Sequence, residues 1–207
     1  MLRIIPFCYN NDPDELLANT YVVIDDNNDC LVVDPSKNND NIKNYIVKNN
    51  LNLKAVLLTH GHFDHFSGAK ILLDAFNCDL YISELDEYML NDPESNCSIY
   101  ISEPFSLNKK YKNYPKTGVL SLLNEDIVVI PVPYHTAGSV ALYLKTANTV
   151  LSGDFLFAGC LGRCDLPNNA SKKKNDSLNT IFKLPEDTKV YPGHGPFTTI
   201  GAEKTNY

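Results

Sequence analysis

Every histidine in this chain of 207 residues follows an apolar, strand-like run. Three of the five fall within six residues, in Thr59-His60-Gly61-His62-Phe63-Asp64-His65, directly after Ala55 to Leu58. His135 comes after Ile127 to Val132, His194 after Lys189 to Tyr191, and Asp154 stands in the same relation to Thr149 to Leu151. A strand delivers the residues beyond its last rung to the rim of a sheet, so a fold that gathers these segments must bring several strand ends to one edge. Neutral imidazole is the commonest nitrogen ligand for zinc and iron, and a carboxylate in the same cluster adds a hard oxygen ligand. The chain therefore reads as a metalloenzyme with its ligands converging at one sheet edge.

The remaining pattern supplies such sheets. Thr20 to Ile24 and Cys30 to Val33 flank Asp25-Asp26-Asn27-Asn28-Asp29 and read as two antiparallel strands joined by a turn. Ile42, Tyr45, Ile46 and Val47 give 39–50 helical spacing, and Ala69, Leu72, Leu73 and Phe76 do the same for 67–76. Asp79 to Ile82 returns as a strand, Glu84 to Leu90 reads as a helix, and 91–117 is rich in loop signals. Tyrosines between Tyr100 and Tyr114 fit either a substrate lid or core packing. In the second half, Ile127 to Val132, Ser139 to Leu144, Thr149 to Leu151 and Lys189 to Tyr191 read as strands, with a helix over 176–183. Alternating strands and helices in both halves predict an α/β sandwich with the sheets inside.

Composition narrows the function. With 43% hydrophobic residues and no long biased tract, residues 1–207 are expected to form one globular domain. A net charge of -7 argues against nucleic acid as a partner, since such binding needs basic surface, and Lys172-Lys173-Lys174 reads as a solvated loop. No segment is long and apolar enough to span a bilayer, and the start does not resemble a secretory signal, so a cytoplasmic location is expected. The six cysteines are scattered without a CxxC pair, which excludes a ribbon-type zinc site and reads as reduced thiols. Nothing in the pattern specifies an oligomeric state.

Residues 60, 62, 64 and 65 diverge on a straight helix or strand, so they can share a site only from a tight loop, where Gly61 supplies backbone freedom. The other candidates are ambiguous one at a time. His135 could be a turn histidine, Asp154 a turn or helix cap, and His194 part of a rigid turn made by Pro192-Gly193-His194-Gly195-Pro196. Their combination favours ligands.

Thr59 to His65 resembles the His-x-His-x-Asp-His signature of the metallo-β-lactamase superfamily. His135-Thr136-Ala137-Gly138-Ser139, Ser152-Gly153-Asp154 and Pro192-Gly193-His194-Gly195 are similar to its later motifs in the same order, and 19–35 resembles its opening hairpin. Gly153 to Phe157, Gly162-Arg163-Cys164-Asp165-Leu166-Pro167 and Thr198 to Lys204 look like the short glyoxalase II-like hydrolases. The resemblance implies an αββα sandwich and two divalent metal ions, zinc first, with iron or manganese as alternatives. One ion would be held by His60, His62 and His135 and the other by Asp64, His65 and His194, with Asp154 bridging. It further implies hydrolysis of a small thioester, hydroxyacylglutathione or a related acyl thiol, with Asp64 and Asp154 as catalytic groups. Typical glyoxalase II enzymes carry a helical region after the last motif that contacts glutathione; a domain without it is expected here. A mono-iron persulfide dioxygenase, using His60, His135 and Asp154, is the alternative within the same family, and a phosphodiesterase or nuclease comes third.

Three further residues have two readings each. Arg163 could pair with a substrate carboxylate or with Asp165. Tyr134 stands where relatives often have glycine and could narrow the pocket, and Asp34 is either a turn residue or, by the resemblance, an acceptor that buttresses the histidine loop. Cys160 and Cys164 lack a free partner histidine and read as passive. A thiol leaves as thiolate without a general acid, having a pKa of about 8.5, which suits a chain with no spare histidine better than an amide substrate would.

Overall fold

The computed structural model describes residues 2–7, 17–36, 40–101, 103–116 and 118–207. Asn39 and Thr117, at the predicted limits of a helix and of the loop-rich stretch, and Cys8 lie outside the described residues. The first sheet runs β1 (Arg3–Phe7), β2 (Thr20–Ile24), β3 (Asp29–Val33), β4 (Asn52–Leu57), β5 (Asp79–Ile82) and β6 (Lys112–Asn113), in that spatial order. Its first three strands pair antiparallel and the rest parallel. The second sheet has the order β12-β11-β10-β9-β8-β7, built from β7 (Val119–Leu120), β8 (Ile127–Pro131), β9 (Val140–Leu144), β10 (Thr149–Gly153), β11 (Lys189–Pro192) and β12 (Thr198–Thr199). Only β10 and β11 pair in parallel there.

Side-chain alternation sorts these strands into layers. On β2, Tyr21 and Val23 face the second sheet, while Val22 and Ile24 face helices α1 (Asp40–Lys48) and α3 (Ala69–Ala75). On β9, Val140, Leu142 and Leu144 face inward, and Ala141 joins the layer under α5 (Lys174–Ile181) and α6 (Ile200–Lys204). Three apolar layers result, one between the sheets and one beneath the helices on each side, so the molecule is an αββα sandwich as expected. Both faces of the central strands are covered, which is why β2 and β10 are buried along their whole length. No helix among the described residues is long and apolar enough to cross a membrane.

The structure departs from the sequence reading in several elements. The segment 67–76 is preceded by a separate turn of helix, α2 (Phe63–Phe66), and the helix itself starts at Ala69. Glu84 to Leu90 is not an α-helix: a 3-10 helix covers Glu87–Asn91. The loop-rich stretch contains α4 (Ser98–Ile101) and the short strand β6. Edge strands β1, β7 and β12 were not foreseen, because two- to five-residue edge segments bury one face at most and carry little period-2 signal.

The sheets are joined along the edge where β3, β4, β8, β10 and β11 end. Val140 N–H donates to the Thr59 carbonyl at 2.9 Å, and Asn19 N–H donates to that of Gly193 at 2.6 Å. The Tyr21 hydroxyl crosses to the Pro192 carbonyl at 2.6 Å. This stitching fixes the relative height of the loops that follow those strands.

Candidate metal centre

All seven candidate ligands meet at that edge. His60 follows β4 through Leu58 and Thr59, His62 is the extended residue before α2, and Asp64 and His65 lie within α2. The loop-then-helix path lets neighbouring residues aim at one point. Gly61 has no positive φ, contrary to the expectation of backbone freedom. It is glycine because a Cβ there would lie 2.8 Å from Met89 Cβ, so the loop could not sit against the 3-10 helix.

Three groups of side chains could each hold a metal ion: His60, His62 and His135; His60, His65 and Asp154; Asp64, His65 and His194. His62 Nδ1 is 2.8 Å from His135 Nε2, and His194 Nε2 is 3.1 Å from Asp64 Oδ2. Asp154 stands between the outer groups, with Oδ1 3.2 Å from His65 Nε2 and Oδ2 3.6 Å from both His135 Nε2 and His194 Nε2. His60 Nε2 and His62 Nε2 are buried without a hydrogen-bond partner, and His65 Nε2 and Asp154 Oδ1 are buried facing each other. Buried polar atoms are normally satisfied, so two orphaned imidazole nitrogens beside a buried histidine–carboxylate contact are what a cation site leaves behind.

Electrostatics agree. Burial, reinforced by His65 and His135, holds the His60 imidazole well below its ordinary pKa, and burial with His135 pushes His62 down to about 3. Both are therefore neutral, the form that ligates. Burial opposes charge on His65 too, yet the carboxylates of Asp154, Asp64 and Asp34 outweigh it and raise its pKa well above normal. Asp154 also runs against its burial, held well below the carboxylate range by His194 and His65. In a protein without its ion, a proton on His65 supplies the positive charge that the surrounding carboxylates demand; a metal would displace it.

Supporting residues orient the ligands. Asp34, at the end of β3 with φ 50°, accepts from Thr59 N–H at 2.8 Å and from the Thr59 hydroxyl at 2.7 Å, and faces His65 Nδ1 at 2.9 Å. It therefore places the His65 proton on Nδ1 and leaves Nε2 turned to the cluster. His135 Nδ1 faces the Arg163 carbonyl at 2.7 Å, with the same effect. Asp34 thus occupies the buttressing position rather than that of a simple turn residue.

Sequence reasoning missed Asp86. Its carboxylate is fully buried and accepts from Gly61 N–H, Thr136 Oγ1, Gly138 N–H and Asn168 Nδ2, at 2.7 to 3.0 Å. One side chain thereby ties the His60 loop to the His135 loop and to the loop carrying Asn168. Burial raises its pKa, against the pull of those four donors. In Ser83-Glu84-Leu85-Asp86-Glu87 it passes for part of a solvated acidic face. The available signal was its spacing: Asp86 shares a face with Met89 and Leu90 at i+3 and i+4, and both are buried.

A cavity of about 710 Å³ opens over the cluster, with His62, Asp64, His135, Asp154 and His194 on its floor. Its wall is formed by Tyr100 and Ile101 of α4, by Cys97, and by Phe157, Leu166, Pro167 and Arg163. Arg163 binds Asp165 through two parallel contacts, Nε to Oδ1 at 2.7 Å and Nη2 to Oδ2 at 2.8 Å, which is the second of its two readings. Tyr134 does not line the cavity. It packs edge-on against Phe155 in the layer under α5, so the pocket-narrowing expectation is corrected: a side chain between β8 and β9 on that face points into the core. Of the lid tyrosines, Tyr100 is on the wall, whereas Tyr114 stacks on Tyr81 and donates to the Leu58 carbonyl. Cys160 and Cys164 are free thiols outside the cavity lining.

The family model of the Metallo-beta-lactamase superfamily matches residues 13–194. The chain is similar to a probable metallo-hydrolase of Streptococcus pyogenes, 34% identical over 192 residues that cover 90% of this chain and 82% of that protein. It is also similar to the hydroxyacylglutathione hydrolase of Buchnera aphidicola, 33% identical over 174 residues, 84% of this chain and 61% of that one. Among solved structures, the BLEG-1 B3 metallo-beta-lactamase superposes with a TM-score of 0.89 at 31% identity, covering 99% of this chain and 97% of that one.

Proposed function

The chain belongs to the Metallo-beta-lactamase superfamily, and from that premise we propose that it is a dinuclear metal-dependent hydrolase cleaving a thioester, a hydroxyacylglutathione or a related acyl thiol. The observation that carries the reading is the convergence of seven buried or half-buried ligand side chains, with His60 Nε2 and His62 Nε2 unpartnered, beneath a substrate-sized cavity. Imidazole nitrogens with carboxylate oxygens suit zinc, iron or manganese. His60, His62 and His135 would hold one ion and Asp64, His65 and His194 the other, with Asp154 reaching both. Such ions, when bound, polarise a carbonyl oxygen and lower the pKa of water to about 7.

The chain's own groups do the positioning. Asp34 and the Arg163 carbonyl keep the protons of His65 and His135 on Nδ1, so that neither imidazole can rotate away from the centre. Asp64 and Asp154, on the cavity floor, are the carboxylates within reach of an attacking water. Tyr100, Ile101 and Phe157 offer apolar surface to the substrate above those carboxylates. All five histidines fall in the ligand groups, which leaves none to protonate a leaving group. A thiol needs no such help, since it departs as thiolate with a pKa of about 8.5. The name of the Buchnera relative supports the same substrate class.

Metal analysis of the purified chain with assays on S-lactoylglutathione and simpler acyl thioesters tests this reading. The expected result is two ions per chain and thioester hydrolysis that disappears with a chelator. Fully metal-loaded protein that turns over no thioester would overturn it. One iron per chain with oxygen uptake on glutathione persulfide would install the mono-iron dioxygenase in its place.

A further inference from the structure

We infer that the thioester this cavity takes is uncharged and apolar, recognised by its hydrocarbon and not by the carboxylates of a glutathione thiol. The inference rests on the thioesterase reading above and narrows it.

Three observations carry it. First, the lining outside the ligands is mostly apolar: Tyr100 and Ile101 of α4 share it with Phe157, Leu166 and Pro167. Tyr100 is 65% exposed and Ile101 42%, so a hydrocarbon lying between them and Phe157 would remove apolar surface from water, as substrate sites of this kind do. Second, Arg163 is the only lysine or arginine among the described residues lining the cavity. Its Nε–Nη2 edge already holds the Asp165 carboxylate, so a substrate carboxylate would have to compete with that neighbour for the charge of the cation. Third, outside the ligand set the described lining residues add no cation besides Arg163, and the chain as a whole carries -7, so its overall charge does not draw an anion to the cavity. Glutathione, with two carboxylates, would find no cation but the Asp165-bound Arg163 among the described lining residues.

The reaction balances as ordinary hydrolysis. Water adds its oxygen to the acyl carbon, the carbon–sulfur bond breaks with its electron pair on sulfur, and the products are a carboxylate, a thiol and one proton.

The test uses two series with the metal-loaded chain: acyl thioesters of N-acetylcysteamine from acetyl to hexanoyl, and alkyl thioacetates from S-ethyl to S-hexyl. S-lactoylglutathione is assayed beside them. At least one series should rise in kcat/KM by roughly two- to fourfold per methylene, the scale set by burying a CH2 group. Its longest member should exceed S-lactoylglutathione. Ile101→Asp should flatten that slope, while Ile99→Asp, on the same helix but off the cavity wall, should leave it as it is. Calorimetry supplies a readout free of turnover: the thioether S-hexyl-N-acetylcysteamine should bind at least tenfold more tightly than its S-ethyl counterpart.

Two flat series, or a preference for S-lactoylglutathione, would overturn this inference and leave the thioesterase reading in place. Tight binding of the hexyl thioether without hydrolysis of any thioester would do the reverse.

Discussion

His60, His65 and Asp34, in and beneath the cavity floor, are at most 1% exposed, whereas Tyr100 and Ile101 on the wall are 65% and 42% exposed. The two regions are held differently as well. On the floor, Asp34 and the Arg163 carbonyl fix the second nitrogens of two histidines, and Asp86 fixes the loops that carry them. On the wall, α4 is a single turn whose apolar side chains lie open at the rim, anchored from below by Asn96, which donates to the Met89 and Phe105 carbonyls. The contrast separates two tasks. Ligands must sit within a fraction of an ångström of their working positions, so the fold over-determines them; a surface that meets hydrocarbon needs only shape and apolarity.

The largest effect should come from removing what holds the floor together. Asp86→Ala leaves Gly61 N–H, Thr136 Oγ1, Gly138 N–H and Asn168 Nδ2 without their shared acceptor. Even with water entering the gap, the loss of a buried acceptor for several donors should destabilise the protein by about 3 kcal/mol. Denaturant unfolding measures it, with Asp86→Asn expected to retain part of the network. An Asp86→Ala protein as stable as the parent would show that the loops are held by strand ends alone, and the floor would then resemble the wall.

A smaller effect, confined to the ligands, should follow Asp34→Asn. The amide can accept from Thr59 but presents a donor to at least one of Thr59 Oγ1 and His65 Nδ1, where the carboxylate accepts from both. His65 loses the partner that fixes its tautomer, and metal affinity should fall by about 10- to 100-fold, the usual range for a residue that orients a ligand. Competition with a chelator of known affinity measures this. Ile101→Asp, on the wall, should shift the same titration by less than about twofold, because Ile101 takes no part in the hydrogen bonds that orient the ligands. Equal losses in the two variants would erase the distinction between the regions.

The same division decides what could be read in advance. Ligand chemistry admits few residue types, so His60, His62, Asp64, His65, His135, Asp154 and His194 stood out by scarcity and by their places after strands, and the structure brings them to one edge. Sheet strands β2 to β5 and β8 to β11 were legible because each is buried on both faces or alternates against a layer. The wall was less legible: Tyr100 stood among tyrosines that fitted a lid or a core equally, Phe157 and Leu166 only within motifs of a resemblance, and Ile101 carried no signal, since any core would use such residues. Tyr134 failed for a related reason, since position in the chain beside His135 says nothing of which face of a connection the ring takes. Asp86 was hidden because its four donors lie 25 to 82 residues away, and no local pattern encodes a partner at that range.

Arg163 joins the two regions and should give the smallest effect. Its carbonyl belongs to the floor, facing His135 Nδ1, while its guanidinium belongs to the rim, where the side chains of Arg163 and Asp165 are 62% and 67% exposed. An ion pair that open to water contributes little to stability, because screening and side-chain entropy offset most of the Coulomb attraction. The main-chain contact to His135 does not depend on the side chain at all. Arg163→Met should therefore change unfolding free energy by no more than about 0.5 kcal/mol and metal affinity by less than about threefold. Gly162→Ala, one residue earlier, supplies the contrast: a Cβ there would collide with the Asp154 carbonyl oxygen and approach His135 Nδ1 at 3.4 Å, displacing the backbone that carries the Arg163 carbonyl. If Arg163→Met weakened metal binding as severely as Gly162→Ala, the guanidinium would be holding the loop in place, and the boundary between floor and wall would run through the side chain and not through the backbone.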